Sequence, residues 1–508
     1  MIIINWIDRL LNRITMYRVV LYYLIGLIVL AAVFGFFGLL PYDGGAVIAS
    51  ALFFVFMSEW MNDIFSKVFD APVNVESTTI TALILALIVP PVTHVSDFLL
   101  LAGIALLAVS SKYFFNINKK HLFNPAAAAV VLSSFILGKS ATWWVGNPVM
   151  AAFVLVGGLL VVRKVRREAM VWTFFGTVFV VSVIFSFMHG GTLLTLGSRL
   201  ILHSSLLFLA FAMLTEPLTS PHTRDLQIAF GAIVGFLFVP NIHFGSWYPT
   251  PEEALCLGNI FSYAVSPRER LLLYLKEKIR VTPDIMDFIF AVPPGFRFTP
   301  GQYMEWTLPH ANPDSRGNRR YFTIASAPGE DTIRLGVKFY APPSSYKKAL
   351  VNLDAATPIV AAQRAGDFVL PLDTKQKVVL IAGGIGVTPY RSMIAHLLKI
   401  QEKRDIVVLY AVKRWQDIVY KDIFTKAEQE LGIRTIYTLS DVSSLPRGWA
   451  GRTGRIDATM IMQEIPDYRE RVFYLSGPYT MVHAFEDVLT GMGVHETRIK
   501  KDFFPGFV

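Results

Sequence analysis

The density of apolar residues changes abruptly near residue 265. Before that point the chain is a nearly unbroken series of apolar blocks with short polar turns between them. After it, charged residues return at the spacing of an ordinary soluble domain. The whole-chain values, 53% hydrophobic and 17% charged over 508 residues, average these two regimes. Soluble domains carry about 25% charged residues. The first half is therefore read as a polytopic α-helical membrane domain and the second as a soluble module.

Ten apolar segments are expected, at approximately 19–40, 46–65, 79–92, 97–112, 124–137, 148–162, 169–188, 199–214, 227–240 and 252–265. Several are shorter than the ~20 residues of a straight span. Short spans broken by Gly and Pro line sites inside membranes, although clipped boundaries give the same pattern. With a cytoplasmic N-terminus, the inner loops collect Arg9, Arg13, Arg18, Lys67, Lys112, Lys119, Lys120, Arg163, Lys164, Arg166, Arg167 and Arg224. The outer loops hold only Lys139 and Arg199. This bias places both termini in the cytoplasm and the chain in the cell membrane, against lipid. It also accounts for the net charge of +9 without nucleic acid. Trp143, Trp144, Trp247 and Tyr248 fall in outer loops, as interfacial belt residues do. The first block, Val19 to Leu40, is too long for a cleavable signal core. The lone Cys256 excludes an intramolecular disulfide and a cluster held by thiolates of this chain alone, and no metal site is expected.

Three polar stretches interrupt the blocks: Val73 to Thr79, Asn124-Pro125, and Leu214 to Pro221. Glu76 and Glu216 lie near the inner boundary, where a carboxylate is costly unless solvated or paired. Two readings stay open: ordinary interfacial loops, or a cofactor or ion site built from half-helix ends. The strings at 76–91, 123–126 and 215–221, with the last span from Pro251, resemble the NqrB/RnfD family over about residues 15–265. Its members are flavin-carrying membrane subunits of ion-pumping NADH:quinone oxidoreductases. The family's Ser-Gly-Ala-Thr attachment sequence is absent; the nearest strings are Ser140-Ala-Thr142 and Gly190-Gly-Thr192. The resemblance implies a flavin in the membrane domain, and the missing attachment sequence leaves room there for a non-covalent FMN or riboflavin.

Beyond residue 266 the pattern becomes short alternating strands, then strand–helix units. Leu272 to Phe290, Tyr303, Asn318 to Ser326 and Ile333 to Phe339 read as strands of a small antiparallel β-barrel ending near Leu372. A helix is expected from Ser344. Val378 to Ile394 then reads as a buried strand, a glycine turn and a helix. Glycines let backbone approach a pyrophosphate, and a helix N-terminus offers N–H donors to it. Strands at Ile406–Val412, Arg434–Thr438 and Val472–Ser476 complete an α/β doubly wound nucleotide domain. The domains are expected at 1–265, 266–372 and 373–508.

This ordered set resembles the ferredoxin–NADP reductase superfamily over about residues 270–508. The resemblance implies bound FAD and NAD(P)H. Arg320-Tyr321-Phe322-Thr323 matches the flavin motif: Arg320 on the pyrophosphate, Phe322 against the ring, Thr323 near N5. A guanidinium fork suits phosphate, and a hydroxyl suits the hydride-accepting nitrogen. Ser344 and Ser345 stand as the second phosphate contact. Gly383, Gly384, Gly386, Thr388 and Pro389 match the NAD(P)H pyrophosphate loop. Ser476-Gly477-Pro478 matches the Cys-Gly-Pro string beside the nicotinamide, with Ser in place of Cys, and Phe504 matches the C-terminal aromatic cover. Thr323, Ser476 and Phe504 are the expected catalytic positions. NADH is favoured over NADPH, because Asp441 would repel a 2′-phosphate although Arg414 stands nearby.

The expected function is a membrane flavoprotein oxidoreductase. Electrons pass from NAD(P)H through FAD to a flavin, a quinone or another acceptor at the membrane, directly or through partner redox subunits, with ion transport by analogy. Two alternatives are weighed. One is a haem ferric reductase or NADPH oxidase, for which His189 and His203 are the only suggestive pair, with Gly190, Gly191 and Gly197 between them. The other is a transporter regulated by nucleotide, which would not need Arg320, Phe322 and Thr323.

Overall fold

A computed structural model describes residues 7–504 except 9, 12–13, 70–74, 118–119, 189–203, 267–269, 312 and 315–316. The chain forms two compact units, Met1–Arg268 and Glu269–Val508.

The first unit is helical. Its helices are α1 (Met16–Phe36), α2 (Gly44–Val68), α3 (Val75–Ile88), α4 (Asp97–Phe114), α5 (Pro125–Ile136), α6 (Pro148–Val165) and α7 (Glu168–Met188). They are followed by α8 (Leu206–Phe208), which continues as a π-helical turn over Leu209–Met213, then α9 (Arg224–Phe238) and α10 (Pro251–Val265). Each expected apolar segment falls on a helix, the eighth only in part because residues 189–203 are outside the described set. Among the described residues, five helices (α1, α2, α4, α6 and α7) are long and apolar enough to cross a membrane. Two shorter apolar ones lie at Glu76–Ile88 and Pro125–Ile136.

Local chemistry sets several helix starts. Asn124 and Asn147 each precede a proline. Each accepts, through its side-chain oxygen, hydrogen bonds from the two N–H groups that follow the proline. The cap fills orphan donors, and proline supplies the first helical φ. Thr250 and Glu253 form a reciprocal capping box at the start of α10. Gly231 and Gly235 let α9 lie against α7. A Cβ on Gly235 would sit 2.8 Å from the Phe174 carbonyl oxygen, and one on Gly231 would meet that of Met170.

The short α3 ends inside the bundle at Pro90-Pro91. Its last carbonyls are satisfied from outside the helix. The Ile88 oxygen accepts from the backbone N–H of Thr142 (2.9 Å) and Trp143 (3.0 Å), and the Leu87 oxygen from Val145. The indole of Trp144 donates to the Ala86 and Val89 oxygens. Trp143 and Trp144 are therefore buried caps rather than interfacial belt residues, because a helix that stops within protein needs donors there. Trp247 and Tyr248 are exposed.

The second unit begins with strands β1 (Arg270–Leu273), β2 (Leu275–Thr282), β3 (Ile285–Ala291), β4 (Tyr303–Thr307), β5 (Arg319–Thr323) and β6 (Thr332–Lys338). Helix α11 (Ser345–Asn352) and strand β7 (Ile359–Ala365) follow. The antiparallel strands expected of a small barrel form a four-stranded sheet, β1-β7-β4-β5, and a three-stranded one, β2-β3-β6. Phe288, Phe290, Trp306 and Tyr346 fill the core beneath them.

The rest of the unit is a six-stranded parallel sheet. Its elements are β8 (Val378–Gly383), α12 (Thr388–Ile400), β9 (Ile406–Val412), α13 (Lys421–Leu431), β10 (Arg434–Leu439), β11 (Arg452–Thr453), α14 (Ala458–Glu464), β12 (Val472–Pro478), α15 (Tyr479–Gly491) and β13 (Ile499–Phe504). Every residue of β8 is buried. Val378, Leu380 and Ala382 face the core shared with α12 and α13, and Val379 and Ile381 the core shared with α14 and α15. A strand covered on both faces reads as a continuous apolar run. The strand order is β11-β10-β9-β8-β12-β13, so the winding direction reverses between β8 and β12. Ligands of such sheets bind beyond the carboxyl ends of the strands at that reversal.

Candidate active site

The sequence places Gly383 to Pro389 at the end of one strand and the turn and helix start that follow, and Ser476 to Pro478 at the end of another. The structure brings them together, with Ala382 opposite Ser476 in the β8–β12 register. Gly384 opens a four-residue 3-10 turn, Gly384–Val387, with φ +54°. This left-handed backbone favours glycine, and a Cβ there would point into open space. Gly386 has the opposite constraint: its Cβ would lie 2.6 Å from Gly477 Cα. The turn feeds α12, with Pro389 in its first turn, where backbone N–H groups lack helical partners. Thr388 donates from Oγ1 to the Ile385 oxygen, at 3.1 Å. Tyr390, fully buried, braces both strands by donating to the oxygens of Ile381 (3.1 Å) and Tyr474 (2.8 Å). Ser476 is fully buried, and its Oγ has no hydrogen-bond partner among the described residues. Phe504 ends β13 with its backbone opposite Pro478.

The expected flavin residues gather around Tyr346. β5 is the edge strand of its sheet. Arg320 lies with its guanidinium 5.0 Å from the Tyr346 ring centroid, and Phe322 packs 6.0 Å from the same ring. Arg320 donates to the oxygens of Arg319 (2.6 Å) and Gly317 (3.2 Å), and Asp314 lies 3.7 Å from it. Ser344 caps α11 by accepting from the Lys347 N–H. Ser345 accepts from the Asp314 N–H at 2.9 Å, and its Oγ lies 3.1 Å from His310 Nε2. Tyr321 points the other way, donating to the buried Glu305 at 2.9 Å. Thr323 is buried, and its Oγ1 has no hydrogen-bond partner among the described residues. Burial pushes the Tyr346 hydroxyl well above its ordinary range, so it remains a neutral donor, to the Trp306 oxygen.

These residues fit a dinucleotide and a flavin. A buried hydroxyl without a partner is costly, and Thr323 Oγ1 and Ser476 Oγ are each free to meet a polar atom. Arg320 beside the start of α11 suits a pyrophosphate. Tyr346, His310 and Asp314 were not singled out from the sequence; only the adjacent Ser344-Ser345 hinted at them.

In the membrane unit, two of the three polar stretches meet the last span. The Asn124 N–H donates to Asn259 Oδ1 (2.9 Å), and Asn259 Nδ2 donates to the Thr219 oxygen (3.2 Å). Thr219 Oγ1 donates to Glu216 (2.9 Å). Lys112, also buried, donates to the Ser77 oxygen at 3.3 Å. Glu76 is instead paired with Arg18, at 3.1 Å. A separate cavity of about 480 Å³ is lined by Thr142, Trp143, Ser205, Tyr248 and Thr250 among others. Thr142 donates from Oγ1 to the Ile88 oxygen. Thr192, His189 and His203 lie outside the described residues.

Fold and site together define an oxidoreductase module with a dinucleotide-binding reversal, carried on a helical membrane unit. Comparison with known families agrees for both halves. Residues 133–262 match the NQR2, RnfD, RnfE family, and residues 380–487 match the oxidoreductase NAD-binding domain. The second half is similar to the flavohemoprotein of Bacillus cereus, 29% identical over 217 residues, covering 41% of this chain and 53% of that protein. It is also similar to the stachydrine N-demethylase reductase subunit of Rhizobium meliloti, 28% identical over 228 residues, covering 44% and 63%. The chain thus spans about half to two thirds of the length of these curated relatives. Among solved structures, the FAD/NAD-binding domain of nitric oxide dioxygenase from Vibrio cholerae matches with a TM-score of 0.40 at 21% identity, covering 46% of this chain and 98% of that one.

Proposed function

We propose that the protein is a membrane NAD(P)H oxidoreductase that uses FAD in its second unit and delivers electrons to an acceptor at the membrane. The observation that carries this reading is the pair of buried, unpartnered hydroxyls, Thr323 Oγ1 and Ser476 Oγ, one on the flavin strand and one at the reversal of the parallel sheet. Residues 266–372 are assigned to FAD and 373–508 to the nucleotide. When bound, FAD accepts a hydride, two electrons and a proton, from the reduced nicotinamide and can pass electrons on singly. Arg320, Ser344 and Ser345 hold its pyrophosphate, Phe322 covers its ring, and Thr323 hydrogen-bonds at the accepting nitrogen. Gly383, Gly384, Gly386, Thr388 and Pro389 cradle the pyrophosphate of the nicotinamide dinucleotide. Ser476, Gly477 and Pro478 would bound the nicotinamide, and Phe504 would supply the aromatic cover of the flavin.

NADH is the favoured donor. Asp441 is held below the usual carboxylate range by its hydrogen bond from Ser443, so it is anionic beside any 2′-substituent. Arg414, after the neighbouring strand, is engaged with Asp417. In the membrane unit, the buried Asn124–Asn259–Thr219 cluster offers polar surroundings for a non-covalent flavin or a quinone headgroup. The lysine and arginine bias supports a multi-pass protein of the cytoplasmic membrane with both termini inside. Coupling to ion movement and partner redox subunits belong to the same reading.

The test is to purify the full chain in detergent and add NADH or NADPH under anaerobic conditions. Bleaching of flavin absorbance near 450 nm and release of FAD on acid precipitation are expected. A preparation without FAD, or one whose flavin neither nucleotide bleaches, would refute the proposal. A Soret band would redirect it to haem.

A further inference from the structure

The pyrophosphate loop and the flavin strand belong to different sheets, yet the chain is tied across them close to both half-sites. Arg391 lies three residues after Thr388 on α12, and Ser392 follows it. Ala325 and Ser326 lie two and three residues after Thr323. Arg391 donates from Nη1 to the Ala325 oxygen at 2.5 Å, and Ser392 donates from Oγ to the Ser326 oxygen at 2.6 Å. Both donors are buried. The same segment is held from its other side: the Arg334 N–H donates to Ser326 Oγ at 2.7 Å, and the Ala325 N–H donates to the Arg334 oxygen at 2.9 Å.

The arginine is well secured. Glu330 Oε1 lies 3.2 Å from Nη1, and the Tyr420 ring lies under the guanidinium at 5.4 Å. β6 leaves no room for slippage here, since a Cβ on Gly336 would sit 2.9 Å from Thr388 Cγ2 and 2.5 Å from the Tyr420 hydroxyl. Burying an arginine is expensive, and its cost is offset only when geometry and partners are fixed. The Nη1 of Arg391 serves the Ala325 carbonyl and the Glu330 carboxylate at once, and the planar guanidinium lies against the Tyr420 ring, which a lysine ammonium would not match.

We infer that Arg391 and Ser392 are positioning residues that set the distance between the hydride donor on the 384–388 loop and the acceptor beside Thr323. The inference rests on the proposed reading of this site as an NADH–FAD pair. Hydride transfer needs reacting atoms at roughly 3–3.5 Å, and a displacement of about 1 Å can cost 100-fold in rate. A tie within four residues of Thr388 and three of Thr323 fixes that distance more stiffly than the packing of two sheets alone. The tie joins Arg391 and Ser392 to the Ala325 and Ser326 carbonyls and includes none of the residues assigned to either cofactor, so its loss should change the transfer step and spare binding.

The experiment uses the full FAD-loaded protein in detergent. Flavin reduction is followed by anaerobic stopped flow over a range of NADH concentrations. Arg391→Ala is expected to lower the limiting rate at least tenfold and weaken the long-wavelength charge-transfer absorbance, with FAD content and the NADH dissociation constant within twofold of the parent. Arg391→Lys is expected to recover part of the rate. Ser392→Ala, which removes one hydroxyl, is expected to cost about threefold. In flavin-free protein, amide exchange of the 324–327 peptide should quicken in Arg391→Ala. An unchanged limiting rate in Arg391→Ala and Ser392→Ala would overturn the inference, as would a loss confined to FAD content or NADH affinity. If NADH fails to bleach the parent protein, it is the proposed function that falls.

Discussion

Tyr420 donates its phenolic hydrogen to Asp287 Oδ1 at 2.7 Å, joining residues 133 positions apart. Asp287 is fully buried on β3, and Arg334 donates to its other oxygen at 2.5 Å. Removing one member of a buried charged pair leaves the other without compensation, at a cost of about 3–5 kcal/mol. Asp287→Ala is therefore expected to lower the stability of the second unit by about 3 kcal/mol, and Tyr420→Phe by about 1 kcal/mol. Denaturant titration followed by near-ultraviolet circular dichroism measures both. Equal, small effects would show that the carboxylate is not the centre of the contact.

The two glycines of the turn should fail differently. Gly384→Trp fills open space beyond the turn. It is expected to abolish NADH oxidation while FAD stays bound. Gly386→Ala drives a methyl group toward Gly477, 2.6 Å from its Cα. Overpacking of this kind costs about 1–3 kcal/mol, so this variant should show a lowered melting temperature as well as weakened NADH binding. Wild-type turnover in Gly384→Trp would remove the loop from the pyrophosphate site.

Acid should loosen the second unit through Asp467. This carboxylate accepts from Arg471 at 2.7 and 3.0 Å and from Lys377 at 2.9 Å. The arginine above all holds its pKa down at about 2. An unfolded aspartate titrates near 3.9, so the unfolded chain binds the proton first. The contribution is complete above pH ~4 and is lost as pH falls through about 2. Solvent screening reduces it to about 1 kcal/mol. Asp467→Asn should flatten the stability profile between pH ~4 and ~2 and leave it unchanged at pH 7 apart from a constant offset. An identical slope in parent and variant would count against the pair.

In the membrane unit, Asn259→Ala removes the acceptor of the Asn124 N–H and the donor to the Thr219 oxygen. Both partners are buried. Each orphaned group costs about 1–3 kcal/mol. Thermal unfolding in detergent should begin at a lower temperature, with the soluble unit's NADH-dependent flavin bleaching retained. An unshifted melting curve would mean that water or a ligand already serves these groups.

Local features were legible in the sequence. Apolar runs located the helices, because a lipid-facing helix needs length and apolarity. Asn124-Pro125 announced a helix start, because cap and proline act within three residues. The glycine turn at 383–388 was recognisable because its strand and helix are contiguous. What escaped depends on partners distant in the chain. Arg391 resembles any surface arginine until Ala325 and Glu330 are placed beside it. Trp143 and Trp144 resemble interfacial residues until the end of α3 is seen to need donors. The division of the strands into two sheets depends on pairings such as β1 with β7, separated by most of the lobe.

The end of α3 bears on how the protein is made. The carbonyls of Ala86 to Val89 find their donors in residues 142–145. Nothing in hydrocarbon can substitute for those donors. A chain that stops before residue 142 leaves those carbonyls without their donors, so the end of α3 is completed only once the tryptophan turn has been added.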